Sequence, residues 1–180
     1  IYSECTTWRA AVLDDLAKIK PDVVVMSSFP NSTLTPEQWM GGSQRVIQSI
    51  AAVTTRVYVL RATPHLPMDG PDCLAQYLGR PHWLPGVNRD CSFASQDDRA
   101  DAIYLSIQNA AKPFGNVQVV DMSDQICPGG ICKAERNGTI VFRDSLHMTA
   151  TFAASLAPVL GDRLQVNRMP FSSTQAKVPR

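Results

Sequence analysis

The sequence predicts an α/β fold, a three-layer α/β/α sandwich in which helices cover both faces of a parallel sheet. Two short apolar runs, 23–26 and 57–60, have the length and composition of buried parallel strands, and residues 117–120 are expected to form a third strand. Stretches with helical periodicity separate these runs, and strands that alternate with helices form parallel sheets. We expect one domain over residues 1–165 and a flexible tail over residues 166–180.

The predicted helices follow from periodicity and from capping residues. Thr35 as N-cap and Pro36 in the first turn begin a helix that extends to about residue 53. Residues 100–111 form another helix, and residues 149–160 form a last one that ends at a glycine. Before these, a helix over residues 8–19 is expected to bury one face, with Trp8 in the core. The residues of that face are Trp8, Val12, Leu16 and Ile19.

Two further segments complete the order of elements. Residues 64–95 are rich in proline, which indicates a long surface excursion between the second strand and the next helix. Residues 139–142 are expected to form a short strand just before the last helix.

Polar residues follow the predicted strands, where parallel sheets gather their chemistry. Ser28 and Asn31 come after the first strand, and Asp144 and His147 come after the last. An acid three residues before a histidine can orient the imidazole, which then accepts a proton from a serine. The same spacing also fits an aspartate that caps the following helix. Asn31 is equally consistent with a simple turn residue.

Four of the five cysteines lie in pairs on irregular segments. Cys73 and Cys91 bracket a stretch rich in proline and glycine, and Cys127 and Cys132 close a tight loop. Both pairs are expected to be disulfides, which indicates an oxidising, extracytoplasmic compartment. Reduced buried thiols are the alternative. Cys5 is the odd cysteine, and we expect its partner to lie outside the residues of this chain.

Composition and charge argue against several classes of protein. The net charge is only +1, so we expect no nucleic-acid partner. No apolar run approaches the ~18 residues of a membrane span. The three histidines lack paired ligand spacing and C-x-x-C is absent, so we expect no metal and no cofactor. Because the chain starts without Met or a signal-peptide pattern, we expect a processed chain or a part of a larger gene product.

Several short motifs occur in an order that matches a known family over roughly residues 5 to 160. They are Cys5-Thr6-Thr7-Trp8-Arg9, Lys20-Pro21-Asp22-Val23-Val24-Val25-Met26-Ser27, Thr63-Pro64, Val119-Val120-Asp121 and Phe142-Arg143-Asp144-Ser145-Leu146-His147-Met148-Thr149. Their order resembles the SGNH (GDSL-type) hydrolase superfamily. The resemblance is greatest to the extracytoplasmic SGNH domains fused to acyltransferase-3 membrane proteins, which O-acetylate surface polysaccharides.

The resemblance implies a flavodoxin-like sheet and acyl-ester transfer or hydrolysis, of an O-acetyl group, on a cell-surface glycan. His147 would be the general base and Asp144 would orient it, while Asn31 and Ser28 would line the substrate or donate to the oxyanion. The family's nucleophilic serine lies in a Gly-Asp-Ser motif, which this sequence lacks. The resemblance therefore implies a fold that is incomplete at its N-terminus, with the serine on a segment outside this chain.

The partners that the resemblance implies are a glycan acyl acceptor and a further part of the same gene product. That part would be the missing N-terminal segment or a membrane acyltransferase domain, which would hold this domain at the periplasmic or outer face of the membrane. Two alternatives stay open: a non-catalytic glycan-binding or scaffolding domain, and a free-standing secreted esterase or lipase.

Overall fold

A computed structural model of the chain describes residues 3–30, 33–78, 91–95 and 97–165. Asn31 and the expected tail over 166–180 lie outside the described residues. The helices are α1 (Ser3–Ile19), α2 (Pro36–Ala51), α3 (Gly70–Leu78), α4 (Asp98–Ala111), α5 (Ser123–Ile126), α6 (Ala150–Ser155) and α7 (Ala157–Arg163). The strands are β1 (Val23–Ser27), β2 (Arg56–Leu60), β3 (Ser92–Ala94), β4 (Val117–Val120), β5 (Ile131–Lys133), β6 (Glu135–Arg136) and β7 (Thr139–Ile140).

The central sheet has the order β1-β2-β4, and both pairs of strands are parallel. Val24 lies opposite Val57 across the first pair, and Val59 lies opposite Val119 across the second. These are the three strands that the sequence predicted, and all three are confirmed as members of one parallel sheet. Their carboxyl ends meet at one edge, as parallel strands require.

Helices cover both faces of this sheet. Alternate residues of β2 point to opposite faces, and Val57 and Val59 join a buried cluster with α2 and α4. Tyr58 points the other way, into a second cluster that contains Phe152 of α6. The predicted three-layer α/β/α arrangement is therefore confirmed.

The predicted burial of the first helix is wrong. The helix itself is present, but none of its residues is buried, and the side chains of Trp8 and Ile19 are 66% and 71% exposed. Leu13 and Leu16 pack against the cluster beneath α2 and α4, and Leu16 belongs to the predicted face. The prediction is therefore wrong for Trp8 and Ile19, because the neighbouring elements decide how much of a helix face is covered.

The proline-rich excursion contains regular structure that the sequence did not predict. Helix α3 and strand β3 lie within it, and a disulfide joins Cys73 of α3 to Cys91 next to β3. Strand β3 pairs antiparallel with β5, which the Cys127–Cys132 disulfide joins to the turn before it. Both predicted disulfides are thus present, and they hold a small sheet beside the central one.

The end of the described chain also differs in detail from the prediction. The strand expected at 139–142 is the two-residue β7, which pairs with β6 as a hairpin. The last helix is split into α6 and α7, with Pro158 in the first turn of α7. Proline lacks the N–H that would continue the helix, so the apolar pattern is continuous while the helix is not.

Candidate active site

Asp144 and His147 lie in a closed loop between β7 and α6. An antiparallel bridge pairs Phe142 with Met148, and the backbone N–H of Arg143 donates to the carbonyl of His147 at 2.8 Å. Thr149 then caps α6, since its hydroxyl accepts from the N–H of Phe152 at 3.2 Å. The loop is therefore fixed at both ends, and its acid and its histidine occupy defined positions.

The Asp144 carboxylate is held by the backbone of its own loop. Its Oδ1 accepts hydrogen bonds from the N–H of Leu146 at 2.8 Å and from the N–H of His147 at 2.7 Å. These two peptide groups, with a smaller contribution from the His147 side chain, hold the pKa of Asp144 well below its ordinary value. The carboxylate is therefore ionised throughout the neutral range.

The same carboxylate orients the imidazole of His147. Nδ1 of His147 lies 2.9 Å from Oδ2 and 3.0 Å from Oδ1 of Asp144. An ionised carboxylate only accepts hydrogen bonds, so it selects the tautomer with a proton on Nδ1. Nε2 then carries the lone pair that can accept a proton from a hydroxyl, which is the geometry of a general base. The imidazole is 63% exposed, so a reacting group can approach it.

His147 faces a cleft of about 250 Å³ at the carboxyl ends of β1 and β2. Ser28 lines the same cleft, and its side chain makes no hydrogen bond within the described part of the chain. The hydroxyl of Ser27 instead donates to the carbonyl of Leu60 at 3.1 Å, which joins the ends of the two strands. Ser28 and His147, which the sequence placed at separate strand ends, are thus brought together.

Residues from a different part of the chain support the histidine loop. The N–H of Ser145 donates to Oδ1 of Asp69 at 2.7 Å, and the N–H of Leu66 donates to the carbonyl of Ser145 at 2.9 Å. Asp69 directly precedes α3, so the disulfide-linked segment also positions the loop. This contact is not predictable from the sequence, because the proline-rich residues 64–95 have the pattern of an irregular excursion.

Comparison with known proteins identifies the family. Residues 2–162 match the family model described as "SGNH domain (fused to AT3 domains)". The chain belongs to this family. The match extends over nearly all of the described SGNH domain, including both residues of the Asp144–His147 pair.

A solved structure of a related fold agrees with this SGNH domain in its architecture. It is the "lipopolysaccharide acetyltransferase periplasmic domain" of Salmonella ser. Paratyphi A, with a TM-score of 0.63 and 14% sequence identity. The alignment covers 85% of this chain and 60% of that chain, so the present chain spans less than two thirds of its neighbour. No curated protein matches the sequence.

Family and fold together support a coarse role in acyl transfer or hydrolysis for this SGNH domain. The two disulfides indicate an extracytoplasmic domain. No helix in the described parts of the chain combines the length and the apolar composition needed to cross a lipid bilayer. The described residues contain no group of three or more His, Cys, Asp or Glu side chains placed to hold a metal ion.

A group of charged side chains that the sequence did not predict lies beside the site. Arg61 follows β2 and donates to Oδ2 of Asp121 at 2.8 Å, and it also contacts Asp101. Its guanidinium lies 4.6 Å from the ring centre of Tyr104. Burial pushes the pKa of Asp121 upward, but hydrogen bonds from Ser123 and Arg61 leave it below its ordinary value. The partners are 40 and 60 residues from Arg61 in sequence, so no local motif signals the group.

Proposed function

We propose that this SGNH domain transfers or hydrolyses an acyl ester, an O-acetyl group, on a cell-surface glycan. It would do so as the extracytoplasmic part of a membrane O-acyltransferase, with His147 as general base and then general acid. The observation that carries the proposal is the Asp144–His147 pair, in which an ionised carboxylate contacts Nδ1 of an imidazole that lines an open cleft.

The chemistry requires a serine whose hydroxyl His147 can activate. Nε2 takes the hydroxyl proton while the oxygen attacks the acyl carbonyl, and the resulting imidazolium remains paired with Asp144. The tetrahedral adduct collapses when the imidazolium gives that proton to the leaving oxygen, which leaves an acyl-serine. A sugar hydroxyl or water then repeats the sequence, losing its proton to Nε2 and regenerating the serine.

The sheet offers a place for the segment that would carry this serine. Within the described residues β1 pairs with β2 alone, so its outer edge has no strand partner. Val25 on this edge strand is 48% exposed, as is Phe29 just beyond it. We propose that a segment of the same gene product pairs along this edge and carries the serine into the cleft. Ser28 and Asn31 would then line the substrate or donate to the oxyanion.

Substitution of the pair tests the proposal in protein expressed from the complete gene, with a small acetyl ester as substrate. His147→Ala should lower turnover by about 10³-fold or more, because the serine then has no base. Asp144→Asn should lower it by roughly 10²–10⁴-fold, because the amide spoils tautomer and orientation. Asp15→Asn, on the exposed surface of α1, is the matched control and should retain full turnover.

A serine-reactive fluorophosphonate locates the nucleophile in the same protein. We expect labelling that depends on His147 and that maps to a peptide outside residues 1–180. A label on Ser28 would contradict a nucleophile from another segment. Unchanged turnover in a folded His147→Ala variant would reject the enzymatic proposal and leave a glycan-binding or scaffolding domain.

A further inference from the structure

A second cavity adjoins the cleft of His147. It measures about 220 Å³ and shares three wall residues with that cleft, Ser28, Ala62 and Thr63. We call it the Thr63 cavity. It is smaller than the roughly 300–1,000 Å³ of pockets that hold drug-sized ligands. A ligand of the size of one sugar residue, held in this cavity, would lie next to the cleft that His147 lines.

The charges of the Thr63 cavity disfavour an anion. Among its described lining residues, the charged side chains are Arg61, Asp97 and Asp101. Arg61 is already engaged by two carboxylates, those of Asp101 and Asp121. Burial raises the pKa of Tyr104, another wall residue, so its phenol is neutral. The balance is therefore acidic, and the guanidinium that could bind a carboxylate or phosphate is occupied.

The uncharged polar groups of the wall are available for hydrogen bonds. Neither Ser28 nor Thr63 makes a side-chain hydrogen bond within the described residues. Nε2 of His65 is buried and has no partner there. Its Nδ1 lies 3.9 Å from Oδ2 of Asp97, which is beyond hydrogen-bond distance, and with a proton on Nδ1 the Nε2 atom is an acceptor. A buried acceptor without a donor is unfavourable, so a ligand hydroxyl that reached Nε2 from the cavity would be favoured.

We propose that the Thr63 cavity binds an uncharged, hydroxyl-rich sugar unit, the one that carries the reacting hydroxyl. The inference rests on the proposed acyl chemistry at His147 and adds the class of acceptor. Thr63 and Ser28 hydrogen-bond the ring hydroxyls, and His65 accepts from one of them through Nε2. Asp97 and Asp101 disfavour uronic acids and phosphorylated sugars. The site therefore selects neutral sugar units along the glycan.

Binding is measured on the full chain with two matched probes, methyl glucoside and methyl glucuronoside, which differ by one carboxylate. The ¹⁵N resonances of labelled histidines report the event, and the His65 signals are assigned by their loss in His65→Gln. We expect a saturable change at Nε2 of His65 with methyl glucoside, and the same change only at several-fold higher concentrations of methyl glucuronoside. The same change is expected in His147→Ala, because binding does not need the base.

Two variants sharpen the test. Thr63→Val keeps the shape of the side chain. It should weaken the binding of methyl glucoside roughly threefold to tenfold, the usual cost of one hydrogen bond. Its control is Thr55→Val, which lies at the opposite end of β2 and should bind as the unmodified chain does. Asp97→Asn can still cap α4. Loss of the Asp97 charge should improve the affinity for methyl glucuronoside about fivefold, the effect of one unit charge at ~4 Å in water.

The outcomes separate this inference from the proposed function. No saturable change with methyl glucoside, or equal binding of both probes, would overturn the neutral-sugar site even if His147 proves to be the base. Selective binding of methyl glucoside in a chain whose turnover does not depend on His147 would support the site and reject the acyl chemistry.

Discussion

Peptide N–H groups, more than the imidazole, lower the pKa of the acid of the candidate site. Asp144 accepts from Leu146 and His147 of its own loop, and this shifts its pKa even though the side chain faces solvent. A triad acid is usually described through its histidine. Here the N–H groups of the loop hold the carboxylate in position and in its charged form, and they do so without any substrate or serine.

A second carboxylate gives a prediction on pH. Arg163 donates to Asp124 at 2.6 and 2.9 Å and lowers the pKa of Asp124 to about 2. In the unfolded chain an aspartate titrates near ~3.9. Its contribution to stability is therefore complete above about pH 4 and is lost as the pH falls towards 2.

Chemical unfolding between pH 2 and pH 5 measures this contribution. Asp124→Asn should flatten the rise of the unfolding free energy with pH over that interval, and its effect should shrink at high salt because the pair is exposed. An identical slope in the variant and in the unmodified chain would show that Arg163 does not perturb Asp124.

At the scale of elements, a buried tyrosine joins the central strand to the last described helix. The hydroxyl of Tyr58, on β2, donates to the carbonyl of Leu164 at the end of α7 and also receives a hydrogen bond from Arg56 at 3.3 Å. Tyr58 is fully buried and Leu164 nearly so. The phenol therefore satisfies a helix-terminal carbonyl that water does not easily reach.

Tyr58→Phe removes this hydroxyl and little else. We expect a loss of about 1–3 kcal/mol in the free energy of unfolding, because the carbonyl of Leu164 is left without its donor. Urea unfolding followed by circular dichroism gives the value. A variant as stable as the unmodified chain would mean that the Leu164 carbonyl finds another donor.

The elements that the sequence predicted correctly are those whose signals lie within a few consecutive residues. Runs of β-branched residues located β1, β2 and β4, and capping residues located α2. The pair of β3 with β5 was missed, since Phe93 and Cys132 are far apart in sequence and are brought together only by the fold. Asp144 and His147 were found because they are three residues apart. The Thr63 cavity was not, because its wall comes from separate strand ends and α4.

At the scale of the whole molecule, the two disulfides close loops of different length. Cys73–Cys91 spans 18 residues, whereas Cys127–Cys132 spans 5. The entropy that a cross-link removes from the unfolded chain grows with loop length. Cys73 of the longer loop lies in α3, which begins directly after Asp69, the residue that contacts the histidine loop.

Paired cysteine-to-alanine variants test this difference. Removing Cys73–Cys91 should cost about 3 kcal/mol and removing Cys127–Cys132 about 2 kcal/mol in loop-closure entropy alone. Thermal unfolding without reductant ranks the two variants, and the same scans with reductant should remove the difference between each variant and the unmodified chain. Free thiols at all four positions in oxidised protein would contradict the extracytoplasmic assignment.

The outer edge of β1 constrains how an active enzyme could assemble. Successive residues of a strand point to opposite faces, so a strand that pairs with β1 has only one alignment that turns its serine into the cleft. A slip by one residue would turn that serine away while the backbone pairing remained intact. Such a molecule would be folded, compact and inert. The fraction of active molecules would then depend on the fidelity of strand alignment as much as on the presence of the serine.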